Sequence, residues 1–191
     1  MHAAATTPVT YFEYLERERL AAERHEFYHG VIYAMAGGTP EHGFVAANMI
    51  YELRRLLGSR PCVVATSDVR VRVVATGLST YPDVSVVCGP VERALDDAHA
   101  ITNPLLLVEV LSPSTEAYDR GEKFAHYRRI PSLREVVLVS THEHRIEAFQ
   151  RGDDGRWVLN EATAGQALTL VSLGGTLEVD DVYRNVVLAP A

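Results

Sequence analysis

The chain has 191 residues, 47% of them hydrophobic and 23% charged, with a formal net charge of −7. Those values fit one globular domain with a sizeable core, and no run approaches the roughly 18–20 continuous apolar residues that a membrane span needs. The acidic balance excludes binding to nucleic acid through overall charge, since that affinity comes from Lys and Arg neutralising phosphates; it leaves open a local basic patch or a bound cation.

Thr10-Tyr-Phe-Glu13 has the form of a capping box, which predicts a charged first helix running to about Ala22. Glu26-Phe-Tyr and Val31-Ile-Tyr flank His29-Gly30, a tight turn between two strands, and Gly37-Gly38 then breaks the chain. From Pro40 to Leu57 the residues Val45, Met49, Ile50, Leu53, Leu56 and Leu57 recur at helical spacing, with Gly58 closing the segment. Residues 68–74 alternate Val69, Val71 and Val73 with Arg70 and Arg72, the pattern of a half-buried strand with a basic outer face. Val84–Val87 and Leu105–Leu111 read as further strands. Ser112 or Ser114 is placed to cap a helix over 116–129 that Pro131 stops, and Glu135–Ser140 follows as a strand. Residues 145–179 read as hairpins, with Asp153-Asp154-Gly155 as one turn, before a short helical turn near Asp180–Tyr183. No repeat or linker divides the chain, so the pattern predicts a single mixed α/β sheet domain.

The N-terminus shows no apolar segment behind a basic start. Cys62 and Cys88 make neither a disulfide framework nor a Cys-rich zinc set, and a reducing cytoplasm is the expected setting. His142 and His144 lie at a predicted turn with no third ligand in spacing. No nucleophile elbow, Walker loop or dinucleotide fingerprint is present.

Glu109 is the most informative residue. Its strand is apolar at both parities and should be buried on both faces, where an ionised carboxylate is costly unless it is paired or bound to a cation. The competing reading puts it near the strand's end, facing solvent or an Arg. Asp83 follows Pro82 at the entry to its strand; a lone Pro-Asp is more often turn chemistry. Asp119, Lys123 and Tyr127 are spaced four apart and share a helix face, which for an isolated helix is simply a solvated Asp–Lys pair.

Taken in order, Pro82-Asp83, Glu109 and Lys123 resemble the PD-(D/E)xK nuclease superfamily, and more closely its Uma-two family of restriction-endonuclease-like proteins. The matching residues are Glu26-Phe-Tyr-His-Gly30 with Met35, Glu41-His42, Pro82-Asp-Val-Ser-Val-Val87, Val108-Glu-Val-Leu-Ser-Pro-Ser-Thr115, and Asp119, Lys123 and Tyr127. One departure stands out: the usual lysine slot, two residues after the glutamate, is Leu111, and Lys123 on the following helix would replace it. The resemblance implies a restriction-endonuclease-like α/β core, a mixed sheet flanked by helices, with C-terminal β-hairpins added. It implies Mg²⁺ or Mn²⁺ held by Asp83, Glu109 and the Val110 carbonyl, since hard cations prefer oxygen ligands. Lys123 would orient water or meet charge developing on the phosphate. Glu26 could add a further acid and His42 could meet water or phosphate; structural roles serve equally well for both. The expected substrate is a phosphodiester, foremost in DNA, cut by a homodimer. Arg54, Arg55, Arg60, Arg70 and Arg72 form a candidate basic patch, with Arg70 and Arg72 as its phosphate contacts, although a solvated face explains it as well. The alternative is a non-catalytic nucleic-acid-binding or protein-interaction module on the same scaffold.

Overall fold

The computed structural model describes residues 8–35 and 37–188. Helix α1 (Tyr11–Leu20) starts on the expected capping box: the Thr10 hydroxyl accepts the Glu13 N–H, and the Glu13 carboxylate accepts the Thr10 N–H at 2.7 Å. Strands β1 (His25–Tyr28) and β2 (Val31–Ala34) form the expected hairpin. Its turn residues His29 and Gly30 take φ values of +48° and +79°, the left-handed region that a tight hairpin turn requires. Helix α2 (Pro40–Leu57) runs over the expected span and ends at Gly58, φ +55°.

Nine strands separate or follow the remaining helices: β3 (Cys62–Thr66), β4 (Arg70–Val73), β5 (Leu78–Thr80), β6 (Val84–Cys88), β7 (Arg93–Ala94), β8 (Asp97–Ile101), β9 (Leu106–Leu111), β10 (Glu135–Ser140) and β11 (Arg145–Arg151). Helix α3, residues 116–127, lies between β9 and β10. Then come β12 (Trp157–Thr163), β13 (Ala167–Leu170), β14 (Gly175–Glu178) and α4 (Val179–Val182). The Asp153-Asp154-Gly155 turn joins β11 to β12, and β13 pairs with β14, so the terminal hairpins stand as expected.

The strands make two six-stranded sheets, ordered β2-β1-β5-β4-β8-β7 and β12-β11-β10-β9-β6-β3. Both are mixed: β4 runs parallel to β8, and β9 runs parallel to β10, while their other neighbours are antiparallel. The β9–α3–β10 crossover is the strand–helix–strand unit seen in the sequence. The second sheet is covered on both faces. Val45, Met49, Leu53 and Leu57 of α2 pack with Val84, Val86, Val108 and Val110 on one side. Leu107, Leu111, Phe124, Tyr127, Val71 and Val73 meet on the other. Each fully buried side chain of this size contributes roughly 1.5–3 kcal/mol. That double cover is why every residue of β9 is buried, Glu109 included.

Three expectations need correcting. The alternation at 68–74 does form a strand, but its arginine face is not an outer one, because α1 lies across it. Arg72 stacks on the Tyr11 ring at 3.7 Å and donates to the Gly77 carbonyl. Arg70, 8% exposed, pairs with Asp97 at 2.7 Å and donates to the Tyr81 hydroxyl at 2.6 Å. Next, α3 is not a plain helix capped by serine. It holds one α turn (Glu116–Tyr118), a π-helical stretch (Asp119–Lys123) and a second α turn (Phe124–Tyr127), with no side-chain cap at Thr115. The Ser112 hydroxyl instead bonds the hydroxyls of Ser114 and Thr115. Finally, Cys62 and Cys88 are joined in a disulfide. They are direct partners in the β3–β6 register, with Cα atoms 4.0 Å apart, a proximity that the linear sequence does not display.

The Arg70–Asp97 pair gives a pH test. Burial alone would raise the Asp97 carboxyl, but bonds from Arg70, the His99 N–H and Tyr11 outweigh it and hold it below its ordinary 3.8. A depressed carboxyl stabilises the fold above the unfolded value and loses that contribution as pH falls through the folded one. Wild-type stability should therefore drop steeply below about pH 4, and Asp97→Asn should flatten that limb. At neutral pH the same variant should lose about 1.5–3 kcal/mol, read by urea unfolding at several pH values.

Candidate active site

The β6–β9 register pairs Val84 with Val108, and one residue further it sets Asp83 across from Glu109. Side chains alternate along a strand, and Val84, Val86, Val108 and Val110 point to the α2 side. Asp83 and Glu109 therefore share the opposite face, below α3. Asp83 is anchored by the Val110 N–H, which it accepts at 2.7 Å. Pro82 lies just before it, so the chain enters the sheet there and the carboxylate stays partly open, at 15% side-chain exposure.

Glu109 is 4% exposed. It accepts the Tyr127 hydroxyl at 2.5 Å and faces the Lys123 ammonium at 3.0 Å. The same ammonium lies 3.3 Å from Glu26 and 3.4 Å from Asp119. Burial pushes the Glu109 carboxyl well above its usual range, against the pull of Lys123, and Asp119 and Asp83 push it the same way. Burial would lower Lys123, but Glu109, Tyr127, Glu26 and Asp119 more than reverse that, so its ammonium is held charged. Asp119 is likewise raised, chiefly by burial.

His42, in the first turn of α2, places Nε2 3.3 Å from the Asp83 carboxylate. The bond to Asp83 raises its pKa against the opposing effect of burial. Glu26 on β1 accepts the Thr80 hydroxyl and, at 3.2 Å, the Tyr118 hydroxyl. Glu26, His42, Asp83, Glu109, Asp119 and Lys123 line a recess of about 330 Å³. It adjoins a wider cleft of about 1120 Å³ beside α1 and shares Met35, Gly37, Gly38, His42, Tyr81 and Asp83 with it.

Asp83, Glu109, Val110, Lys123, Glu26 and His42 thus meet in one place, whereas Arg70 and Arg72 are committed to internal partners beneath α1. Asp119, Tyr127, Tyr118 and Thr80 complete the cluster. Asp119 and Tyr127 carried a signal, their four-residue spacing around Lys123. Tyr118 and Thr80 carried none, because their bonds to Glu26 depend on how β1, β5 and α3 assemble. His142 and His144 serve the fold: the His142 N–H donates to Ser140, and the His144 ring stacks on Tyr183 at 4.4 Å.

Among the described residues, no three His, Cys, Asp or Glu side chains already stand as a metal-ligating cluster. The donor chemistry nevertheless suits a hard divalent ion. Glu26, Asp83, Glu109 and Asp119 are four carboxylates, set against one charge on Lys123 and one on a protonated His42. Two negative charges are left over when all are ionised, a surplus that a buried site tolerates poorly.

The Uma2 family model, described as "putative restriction endonuclease", matches residues 11–180. Two uncharacterised proteins of Synechocystis sp. are similar. One, slr1290, is 40% identical over 91% of this chain and 90% of its own; the other, sll1609, is 35% identical over 84% and 91%. A crystal structure from Anabaena variabilis, described as a putative nuclease belonging to DUF820, superposes with a TM-score of 0.74 over 92% of this chain and 98% of that one. At 16% identity, that likeness speaks for the fold alone. With almost the whole described chain inside the family match, this protein belongs to the Uma2 family of restriction-endonuclease-like proteins.

Proposed function

We propose that the protein hydrolyses phosphodiester bonds, foremost in DNA, with Mg²⁺ or Mn²⁺ as cofactor. The observation that carries this reading is the surplus of buried carboxylate around Lys123 at the mouth of the β6–β9 pair. Asp83 and Glu109, with the Val110 carbonyl, are the oxygen donors that would hold the ion. When bound, the metal would polarise the phosphate and lower the pKa of a bound water. Lys123, fixed by three acids, keeps a positive charge where negative charge builds on the phosphate oxygens. Tyr127 holds Glu109 in place, and Tyr118 with Thr80 holds Glu26, a further candidate ligand. His42 restrains Asp83 and faces the open side of the recess, where water enters. Cleaving a duplex calls for two such centres, hence two copies of the chain. Cys62 and Cys88 are joined on the edge of the same sheet. Cys88 lies at the far end of β6 from Asp83, roughly 16 Å along the strand, so the site does not depend on that bond.

One observation favours a second reading, a binding module on the nuclease scaffold. Around the recess and the adjoining cleft, among the described residues, acidic side chains outnumber Lys and Arg nine to four. The deciding experiment incubates the purified protein with single- and double-stranded DNA and RNA, with Mg²⁺, Mn²⁺, Ca²⁺ or EDTA. Cleavage in Mg²⁺ or Mn²⁺ that EDTA stops is the expected result. Intact substrates under every condition, at protein concentrations that still bind them, would give the second reading the field.

A further inference from the structure

Helix α2 has two apolar faces, and the fold uses one of them. Val45, Met49, Leu53 and Leu57 are buried against the sheet. On the other side Phe44 is 57% exposed and Tyr51 65%, with exposed Ala47 between them. Gly43 lies beside this strip, and a Cβ built on it would meet nothing within 4 Å. Two large exposed rings flanking small residues on one helix face are costly in water, and a neighbouring backbone could approach closely there. The ends of the strip carry opposite charges. Glu41 stands in the first turn, while Arg54, Arg55 and Arg184 stand at the other end with Glu52 and Asp181, three cations to two acids; Arg55, 52% exposed, pairs with Glu52 at 2.7 Å, and Arg184, 65% exposed, pairs with Asp181.

This pattern is self-complementary when the helix meets a copy of itself running the opposite way. In an antiparallel pair the residue numbers of facing positions add to a constant. Phe44 opposite the partner's Tyr51 and Ala47 opposite the partner's Asn48 share one such constant, and Glu41 opposite the partner's Arg55 differs by a single residue. All three fall on the exposed side. Asn48 already ties this side to α4 by donating to the carbonyls of Val182 and Arg184, which holds the cationic end of the surface in place.

We propose that the Glu41–Arg55 face of α2 is a two-fold surface occupied by a second copy of this chain, with its axis beside Ala47. An isologous contact of this kind closes on itself, so it makes dimers and not filaments. His42 lies on the same helix, so the two sites would stand about 16 Å apart measured along the helix axes, one on either side of the symmetry axis. From the nuclease reading this takes only the expectation of two copies. Its test reads mass, not cleavage, so each can fail alone.

Ala47 is exposed and close to the axis, so a charge placed there meets its own copy. Ala47→Glu and Ala47→Lys, both good helix formers, should each run as the 21.1 kDa monomer, while the wild type runs at twice that mass. Mixing the two variants should restore the dimer, since opposite charges then meet across the axis; this recovery also shows that both are folded. Light scattering coupled to size exclusion gives the masses. A monomeric wild type at about 100 µM, or variants that remain dimeric alone, would overturn the proposal.

Discussion

Replacing Lys123 with Met is expected to lower the stability of the metal-free protein by about 3–5 kcal/mol, the range for removing one partner of a buried ion pair. For a chain of this length that corresponds to a fall on the order of 10 °C in melting temperature. The substitution leaves almost no cavity, so lost packing is not the cause. What it removes is the one ammonium within 3.0–3.4 Å of Glu109, Glu26 and Asp119, which leaves three buried acids facing one another. Two controls separate this account from general damage. Adding Glu109→Gln to the same chain should return part of the loss, because the uncompensated charge goes with it; a double-mutant cycle measures the coupling. Millimolar Mn²⁺ should also stabilise the variant, by about 2.7 kcal/mol when the ion stands at 100 times its dissociation constant. A variant that melts like the wild type, or a cycle with no coupling, would contradict the ionic account of this cluster.

The sequence showed the parts of this arrangement that depend on local rules. The capping box at Thr10, the His29-Gly30 turn, the span of α2, the buried strand around Glu109 and the hairpins after residue 145 all follow from short-range chemistry, and all stand where the residues put them. The strands β3, β5, β7 and β8 were not seen. Leu78–Thr80 and Arg93–Ala94 are too short to show a period, and Asp97–Ile101 places small and polar residues where an alternation would need larger apolar ones. The inversion of the Arg70–Arg72 face has a different origin. Alternation tells which residues share a side, but not what covers that side, and here Tyr11 and Tyr14 of a helix some sixty residues earlier do so. The disulfide and the π-helical stretch are likewise tertiary facts. The latter matters to the site, because Asp119, Lys123 and Tyr127 keep their common face through a stretch wound differently from the expected α-helix.

The second large effect concerns activity. If Asp83 is a metal ligand, Asp83→Asn should reduce metal-dependent cleavage by roughly 10²-fold or more, on the scale seen when one electrostatic contact to the reacting centre is lost. Stability should move little by comparison. An Asn oxygen can still accept the Val110 N–H that Asp83 accepts at 2.7 Å, and its size is unchanged. The fold therefore keeps that anchor and loses the negative charge, with it the ionic contact to His42 at 3.3 Å. The loss of that charge also lightens the burden on Glu109, whose carboxyl is raised in part by Asp83; this offsets the lost contact to His42, so the metal-free variant should melt close to the wild type, and its stabilisation by Mn²⁺ should shrink. The joint pattern is what discriminates. Lost cleavage together with a lost Mn²⁺ shift and an intact melting curve assigns Asp83 to the ion. Lost cleavage with a full Mn²⁺ shift would move the ion to Glu26, Glu109 and Asp119 and leave Asp83 the task of positioning His42. Undiminished cleavage would remove Asp83 from the chemistry altogether and, with it, the reason for placing the reaction at the mouth of this strand pair.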